Sequence, residues 1–464
     1  MSRRPIDRLI KPIRLLMKSS YSIGVILFSC AVLALIVANS PWSHYYFELW
    51  ETHVVLGPEG HGINKTLHEW INDGLMSVFF FLIGLEIKRE VMVGKLSTFR
   101  QAVLPMGAAL GGMIIPAGLY FVFNSEPPNA DGWGIPMATD IAFSLGLLAV
   151  VRSRVPLAAK VFLTALAIVD DLGAVLVISI FYTSDFSLLN LTLGLGFLTL
   201  MLIGNALRIR SAWFYGLLGG VGVWVAFLFS GVHATIAGVL AAFTIPARPM
   251  LNREEYLEKL NYLRFKLEQS KAVKGPMHSP NQVSLIEQVK RVSDQAQTPL
   301  QMLEYTMHDL VYFLILPIFA FSNAGIEISG NVGELILNPI CLGVFFGLLI
   351  GKPVGIVFFT KILSWLGVGQ LAPGVKWRHI YGLGFLAGIG FTMSLFIANL
   401  AFVGNPVKID AAKIGILLSA IVASIIGLGI LFSDKTMAKE EGEEEEERDV
   451  DDMSDEELKS SGAH

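Results

Sequence analysis

Apolar residues fall into twelve long runs along the chain, and short polar segments separate them. Most runs meet or approach the ~20 residues that a helix needs to cross a bilayer. Two runs, 135–151 and 232–246, are short for this purpose. The runs lie near positions 22–39, 72–87, 102–123, 135–151, 157–183, 188–207, 212–231, 232–246, 307–326, 339–361, 380–403 and 411–432. The pattern predicts an all-α polytopic membrane protein with twelve transmembrane helices.

Composition agrees with a membrane protein and disagrees with an ordinary soluble enzyme. Of the 464 residues, 53% are apolar and only 16% are charged, whereas soluble domains carry about 25% charge. Cys30 and Cys341, the two cysteines, both lie inside apolar runs. This argues against a disulfide framework and against a cysteine-ligated metal site.

Lys and Arg in the connecting segments indicate the orientation. With the N-terminus in the cytoplasm, the cytoplasmic segments hold 27 basic residues and the opposite side holds three. Basic residues favour the cytoplasmic side of membrane proteins. We therefore expect both termini in the cytoplasm. The first run could also be a signal peptide, because basic residues precede it and the small residues at Ala38-Asn39-Ser40 resemble a cleavage site. Its length favours a retained helix.

The chain divides into five segments on this interpretation. Residues 433–464 carry 14 acidic and four basic residues, and a segment so charged and so poor in apolar residues is expected to be disordered. It is either a solvated tail or a site for a basic partner. The segments are a cytoplasmic N-terminus (1–20), helices one to eight (21–246), a charged helical cytoplasmic insertion (247–305), helices nine to twelve (306–432) and the acidic tail (433–464).

Two connecting segments carry further local signals. In the insertion, apolar residues recur at helical spacing on both sides of Lys274-Gly275-Pro276, which predicts a helical hairpin. Thr298-Pro299 then resembles a helix cap followed by proline at the first helical position. Between the first two spans, residues 52–56 and 62–64 flank Gly-Pro-Glu-Gly. They are compatible with a small external β-hairpin or with an irregular loop.

Ionisable residues inside spanning helices are candidate functional residues, because burying charge in a bilayer is costly. Four stand out: Asp140, Asp170, Asp171 and Lys352. Two adjacent carboxylates roughly 6 Å apart repel by about 3 kcal/mol at an effective dielectric near 20. One of Asp170 and Asp171 should therefore keep its proton to higher pH unless a cation intervenes. For Asp140 or Lys352 alone, a structural ion pair is the competing interpretation.

Two helices contain sequences that interrupt a helix. Gly132, Gly134 and Pro136 precede Ala138-Thr139-Asp140, and four glycines precede Phe391 in the run 380–403. Interrupted helices in corresponding halves are typical of inverted-repeat transporters, whose site lies where the breaks cross near the midplane. Asp140 and Lys352 are then candidates to compensate the half-helix dipoles. Close helix packing is the alternative role for each glycine.

These motifs identify the chain as similar to the bacterial NhaA-type sodium/proton antiporters over nearly all of residues 10–432. The matching segments are INDGLMSVFFFLIGLEIKRE (71–90), ATDIAFSLG (138–146), ALAIVDDLGAV (165–175), SGVHATIAGV (230–239), LILPIFAFSNAGI (314–326), LLIGKPVGI (348–356) and GIGFTMSLFIA (388–398). The resemblance implies an exchanger that extrudes Na+ or Li+ against a larger number of protons. It needs no cofactor and binds no nucleic acid, and its partners are these ions and the lipid bilayer.

The resemblance also implies roles for individual residues. Asp171 matches the principal Na+ ligand, and Asp170 matches the second carboxylate, which pairs with the lysine at Lys352. Thr139 and Asp140 match the extended stretch of the first broken helix. Asp73 matches a further buried acid, and His233 matches a histidine in polar packing.

Activity in the family rises with cytoplasmic pH. The matching pH-sensing candidates are Glu86, Arg89, Glu90, Glu304 and His308, for which interfacial snorkelling is the alternative role. The resemblance further implies a bacterial inner-membrane location and a homodimer. The insertion and the acidic tail depart from the family pattern, and neither departure affects the midplane site.

Two other functions are alternatives to be weighed against the same observations. A proton-coupled symporter of an organic anion would need a cationic side chain at the midplane, and only Lys352 qualifies. An intramembrane aspartyl protease would need two aspartates from different helices and a Gly-x-Gly-Asp element, which this sequence lacks.

Overall fold

A computed structural model describes most of the chain between Ser22 and Ser433. The described residues are 22–57, 62–94, 96–151, 154–182, 187–270, 277, 279–327 and 332–433. Several predictions fall outside them: the cytoplasmic N-terminus, the Pro-Glu-Gly part of the external turn, Lys274-Gly275-Pro276, and the acidic tail after Ser433.

Helices account for most of the described chain, because long apolar runs satisfy their backbone hydrogen bonds internally. In chain order the elements are α1 (Ser22–Ala38), α2 (Ser43–Glu51), β1 (His53–Leu56), β2 (Ile63–Thr66), α3 (Leu67–Met92), α4 (Phe99–Phe123), a 3₁₀ helix (Ala130–Met137), α5 (Ile141–Val150), α6 (Leu157–Phe181), α7 (Leu188–Ala206), α8 (Ala212–Leu228), α9 (Thr235–Thr244), α10 (Arg253–Gln269), α11 (Pro280–Ala296), α12 (Pro299–Asn323), α13 (Val332–Ile336), α14 (Pro339–Trp365), α15 (Trp377–Ala387), α16 (Phe391–Ala401) and α17 (Pro406–Phe432).

The helices confirm an all-α polytopic membrane protein. Among the described residues, eight helices are long and apolar enough to span a bilayer, and two bent pairs, α1 with α2 and α15 with α16, raise the number to as many as ten. The remaining predicted spans correspond to α8 and α9, which are apolar but shorter. The count of twelve therefore stays a prediction.

The chain forms two compact units, and boundaries between them fall within helices α1, α4 and α6. Of the described residues, those within 22–25, 100–170 and 332–433 belong to the first unit. The second comprises Ile26–Phe99 and Asp171–Gly330. The boundary within α6 therefore falls between Asp170 and Asp171.

In the first unit, glycines let α4 and α14 approach each other closely. A Cβ atom added to Gly111 would lie 2.3 Å from the Gly355 carbonyl oxygen, and one added to Gly355 would lie 2.1 Å from the Gly111 oxygen. Only glycine permits this backbone contact. The contact fixes α14, the helix that carries Lys352, against α4.

In the second unit, α3 packs against α9 in a similar way. A Cβ atom at Gly238 would lie 2.2 Å from the Ser77 carbonyl oxygen, and one at Gly84 would lie 2.7 Å from Ala242 Cβ. Small residues at such crossings are typical of helix pairs in membranes. The short α9 is therefore held along α3, which carries several of the candidate polar residues.

The segment before α3 forms the hairpin rather than an irregular loop. Strands β1 and β2 pair antiparallel, with His53 opposite Thr66 and Leu56 opposite Ile63. Thr66 then caps α3: its hydroxyl accepts from Glu69 N, and the Glu69 carboxylate accepts from Thr66 N at 2.8 Å. This capping box stabilises the helix start.

The predicted insertion contains two helices that pack against each other, α10 and α11, with Leu263 and Leu285 buried. Asn252 and Ser279 cap them through capping boxes. The Thr298-Pro299 cap is confirmed, because the Thr298 hydroxyl accepts from Gln301 N and Pro299 begins α12. The helix starts eight residues before the apolar run and continues without interruption into it.

We expect Gly111→Ala to destabilise the protein, because the new methyl group overlaps the Gly355 carbonyl oxygen. Overpacking of this kind costs about 1–3 kcal/mol. Gly118, also in α4, has no atom within 4 Å of an added Cβ, so Gly118→Ala is the matched control and should be neutral or slightly stabilising. Thermal unfolding in detergent measures both variants, and equal melting temperatures would contradict the proposed backbone contact.

Candidate functional site

The two interrupted helices meet at their breaks in the first unit. The 3₁₀ helix ends at Met137, and an extended stretch leads to α5, while three residues separate α15 from α16. Asp140 N donates to the Ile389 carbonyl oxygen at 2.7 Å, and the Thr139 hydroxyl donates to the Ala387 oxygen at 2.9 Å. The predicted crossing of two broken helices is therefore present.

Asp140 lies at the beginning of both C-terminal half helices. As the N-cap of α5, its Oδ1 accepts from Phe143 N at 2.9 Å. Its Oδ2 accepts from Thr392 N at 3.0 Å and from the Thr392 hydroxyl at 2.7 Å, near the start of α16. The residue is only 2% exposed. One carboxylate thus faces two positive helix ends, an arrangement that stabilises negative charge.

Lys352 compensates negative charge at the C-terminal end of a half helix. Its side chain is fully buried, and Nζ donates to Asp170 Oδ2 and to the Met137 carbonyl oxygen. Met137 is the last residue of the 3₁₀ helix, where unpaired carbonyl groups carry partial negative charge. The ammonium group therefore balances a carboxylate and a half-helix C-terminus together.

Asp170 keeps one oxygen available beside this ion pair. The residue is 1% exposed, and Oδ1 accepts no hydrogen bond from the described residues, although the Thr139 side chain lies near the carboxylate. A buried carboxylate oxygen without a hydrogen bond is costly. It is a natural ligand position for a small cation, because carboxylate oxygens suit hard cations.

Asp171 follows Asp170 in the same helix and is also 1% exposed. Consecutive helical residues point about 100° apart, so the two carboxylates leave α6 in different directions. Asp170 belongs to the first compact unit and Asp171 to the second.

A second polar group lies in the second unit around Asp73. Lys65 Nζ pairs with Asp73 Oδ2 at 2.6 Å, and His233 Nε2 lies 3.9 Å from Oδ1. Trp224 Nε1 donates to the Asp73 carbonyl oxygen at 3.0 Å. Lys65 therefore neutralises Asp73, and His233 touches this acid in addition to Thr235, to which it hydrogen bonds.

All five pH-sensing candidates lie in the second unit, and electrostatic interactions connect them. Arg89 donates to the carboxylates of Glu304, at 2.9 Å, and of Glu90, at 3.1 Å. Glu86 interacts electrostatically with all three of these residues. His308, one turn beyond Glu304 on α12, lies beside Asp309 and against the Tyr312 ring, with 4.6 Å between ring centroids.

Sequence reasoning missed three features of these sites. It did not single out Thr392 as a partner of Asp140 or Lys65 as the partner of Asp73. It also missed two π-helical turns. Trp70–Leu75 contains Asp73, and Gly347–Gly351 directly precedes Lys352. Such turns are frequent at functional sites. Glycines in both segments were the only local signal.

Comparison with known proteins supports the resemblance over nearly the same part of the chain. Residues 14–431 match the family described as Na+/H+ antiporter 1. The chain belongs to this family. It is therefore a multi-pass membrane transporter rather than an enzyme, and the interpretation as an intramembrane protease is excluded.

Individual relatives match this chain over most of their own length. The Na(+)/H(+) antiporter NhaA 2 of Syntrophotalea carbinolica is 47% identical over 415 residues, 89% of this chain and 94% of the relative. The Na(+)/H(+) antiporter NhaA of Oleidesulfovibrio alaskensis is 46% identical, covering 91% and 94%. That of Koribacter versatilis is 43% identical and covers 94% of both chains. The antiporter is thus similar to these relatives over about nine tenths of its length.

We expect Asp140→Ala to destabilise the antiporter more than Thr392→Val. The first substitution leaves two helix N-termini without their carboxylate and costs about 3 kcal/mol, whereas the second removes one hydroxyl bond worth about 1 kcal/mol. Thr360→Val is the matched control, because among the described residues this buried hydroxyl bonds only to Ile356 O of its own helix. Denaturation in detergent compares the three variants, and equal losses for all of them would contradict the shared-carboxylate arrangement.

Proposed function

We propose that the antiporter exchanges cytoplasmic Na+ or Li+ for a larger number of external protons at Asp171 and Asp170. The observation that carries the proposal is the buried Asp170, with Oδ2 on Lys352 and Oδ1 lacking a hydrogen bond among the described residues. Asp171 is the principal cation ligand, Asp170 is the second carboxylate, and backbone oxygens of the extended stretch complete the shell. Thr139 and Asp140 shape this stretch.

Competition for the acidic pair couples the two ions. In the cation-free state the Lys352 ammonium compensates Asp170, and a proton neutralises Asp171. An arriving Na+ brings its own positive charge to both carboxylates, so the pair with Lys352 weakens and the proton on Asp171 leaves the site. Because a cation and protons exclude each other electrostatically, the exchange requires no separate coupling element.

Exchange of more protons than cations makes transport electrogenic. Each net charge that moves inward gains about 2.3 kcal/mol per 100 mV of membrane potential. The proton-rich outside and the negative inside of a bacterial inner membrane would both favour Na+ extrusion. The connecting segments on one side of the membrane hold most of the Lys and Arg residues. This asymmetry supports the location, with both termini in the cytoplasm.

We further propose that Glu86, Arg89, Glu90, Glu304 and His308 make the rate depend on cytoplasmic pH. One guanidinium group cannot compensate three carboxylates, so the carboxylates repel one another when all three are ionised. The Arg89 and Glu304 pair joins α3 to α12, so a change of protonation alters the contact between these helices. This is a local charge change acting on a helix pair, as in other switches.

A homodimer is supported by the hairpin before α3. Its two strands leave unpaired edges, and Val55 and Leu56 are exposed apolar residues. Exposed edges of this kind favour pairing with another strand, and an equivalent hairpin of a second copy is the partner we propose.

The anion symporter is the weaker candidate on this geometry. It needs a cationic side chain that is available to a carboxylate substrate, but Lys352 already binds Asp170 and the Met137 carbonyl oxygen. A measurement of sodium-induced proton release distinguishes the two functions, because a proton-coupled symporter of organic anions does not exchange Na+ for protons.

We expect Asp171→Asn to abolish exchange while the protein remains folded, since an amide cannot alternate between a proton and Na+. Asp170→Asn should also abolish Na+ exchange, whereas Glu126→Gln, at an exposed acid of the first unit, should leave it unchanged. Dequenching of a pH-sensitive dye in everted vesicles measures exchange with Na+, Li+ and K+ from acidic to alkaline pH. Sodium-dependent proton movement by Asp171→Asn at the wild-type rate would refute the assignment.

A further inference from the structure

Two arginines hold the C-terminal end of α17 in the first unit. Arg154 Nη1 donates to the Phe432 carbonyl oxygen, and its guanidinium group lies 5.4 Å from the centroid of the Phe432 ring. Arg378 Nε donates to the Ile430 carbonyl oxygen at 3.2 Å, and its Nη2 donates to the Ser433 hydroxyl. Cations stabilise this end of a helix, where carbonyl groups carry partial negative charge. The two guanidinium groups therefore lie at the point where the acidic tail begins.

Three lysines extend this basic surface along neighbouring helix ends. Lys160 lies in the first turn of α6, Lys361 lies near the end of α14, and Lys376 directly precedes α15. Helix α15 packs against both α14 and α17. Lys361 Nζ donates to the Tyr381 hydroxyl at 2.7 Å. The basic rim is defined here as Arg154, Lys160, Lys361, Lys376 and Arg378.

The basic rim has no acidic residue in its own segments. Residues 151–169 and 353–409 contain neither Asp nor Glu. Arg154, Lys361 and Arg378 are exposed, and no carboxylate of the described residues forms an ion pair with them. The partners to which they donate are neutral carbonyl and hydroxyl oxygens. The rim therefore produces a positive potential that the rest of the described first unit does not neutralise.

The acidic tail carries the opposite charge and is joined to this surface. Residues 433–464 contain 14 acidic and four basic residues, which gives a net charge of −10. Asp434 is the first of the acids, and the block Glu443–Glu447 begins ten residues after Ser433, within about 35 Å of extended chain. A flexible connection this short gives an effective concentration in the millimolar range, so ion pairs that are individually weak can form together.

We propose that the acidic tail binds the basic rim of its own chain and thereby neutralises positive charge on the side from which Na+ enters. The sequence left two roles for the tail, a solvated segment and a site for a basic partner, and the rim is the basic partner. The segments that carry the rim are among those predicted to be cytoplasmic. This role rests on the exchange proposed at Asp170 and Asp171 and adds a regulatory contact to it.

The rim is close enough to the ion site to influence the approach of Na+. Helix α6 begins at Leu157, and Asp170 lies 13 residues further along it, which corresponds to about 20 Å. Charges at this distance act on a cation in 0.01 M salt, where the Debye length is about 30 Å, and hardly at all in 1 M salt, where it is about 3 Å. Neutralising the rim should therefore favour Na+ binding at low ionic strength only.

Zero-length carbodiimide cross-linking of the full-length antiporter in nanodiscs tests the contact, because this reagent joins carboxylates to amines that touch each other. We expect mass spectrometry to find tail acids linked to Lys361 and Lys376 in 0.01 M salt, and about tenfold fewer links in 1 M salt. Lys259 and Lys290, exposed lysines of α10 and α11, are the matched controls and should link to the tail rarely.

Three results of this experiment would overturn the contact. The first is the absence of links between the tail and the rim, and the second is equally frequent links to Lys259 and Lys290. The third is links that form in phosphatidylcholine nanodiscs but disappear when a quarter of the lipid is phosphatidylglycerol, because the rim is then a site for anionic lipid headgroups.

Transport in everted vesicles tests the consequence for Na+. A chain that ends after Lys435 keeps every described helix, since α17 ends at Phe432. We expect its KM for Na+ to rise about two- to threefold in 0.01 M salt, the effect of five unit charges about 20 Å away. The maximal rate should not change, and the two chains should have the same KM when choline chloride raises the salt to 1 M.

Substitutions in the shortened chain distinguish charge from structure. Lys361→Gln with Lys376→Gln should lower its KM again, whereas Lys259→Gln with Lys290→Gln should not. An unchanged KM in the shortened chain, or a rise that persists in 1 M salt, would overturn the proposed role. Absence of Na+-dependent proton movement in the full-length chain would instead refute the exchange mechanism and would leave the cross-links unaffected, so the two failures are distinguishable.

Discussion

Burial of charge within apolar helices is the constraint on which the antiporter depends. Asp140, Asp170, Asp171 and Lys352 are each at most 2% exposed, and an isolated ion in such surroundings costs several kcal/mol. Each charge therefore needs a partner. Asp140 has two helix N-termini, and Lys352 has Asp170 and a helix C-terminus. A cation or a proton is the partner that the acidic pair can exchange.

The broken helices make this compensation possible. A continuous helix satisfies its own backbone, whereas each break exposes N–H groups on one side and carbonyl groups on the other. In this fold the two breaks hydrogen bond to each other, one carboxylate serves both N-terminal ends, and one ammonium serves a C-terminal end. Two of the groups at the crossing, Lys352 and Thr139, also lie beside Asp170, so stability and ion binding depend on shared residues.

Much of this arrangement could be predicted from the sequence. Apolar runs gave the helices, and glycine and proline next to Ala138-Thr139-Asp140 indicated the first break, because these residues weaken a helix locally. The role of Thr392 could not be predicted, since its contact with Asp140 joins residues 252 positions apart. The same holds for Arg154, whose bond to the Phe432 carbonyl oxygen joins residues 278 positions apart. Whether α8 and α9 each span the bilayer depends on tilt and depth, which hydropathy does not define.

The count of protons released when Na+ binds tests the central claim most directly. Titration calorimetry of the purified antiporter in buffers of different ionisation enthalpy measures this number. We predict a release of at least one proton per bound Na+ where the site is protonated, decreasing as the pH rises, and no sodium-linked release in Asp171→Asn. Sodium binding to the wild type without any proton release would contradict the claim that the two ions compete for the same buried carboxylates.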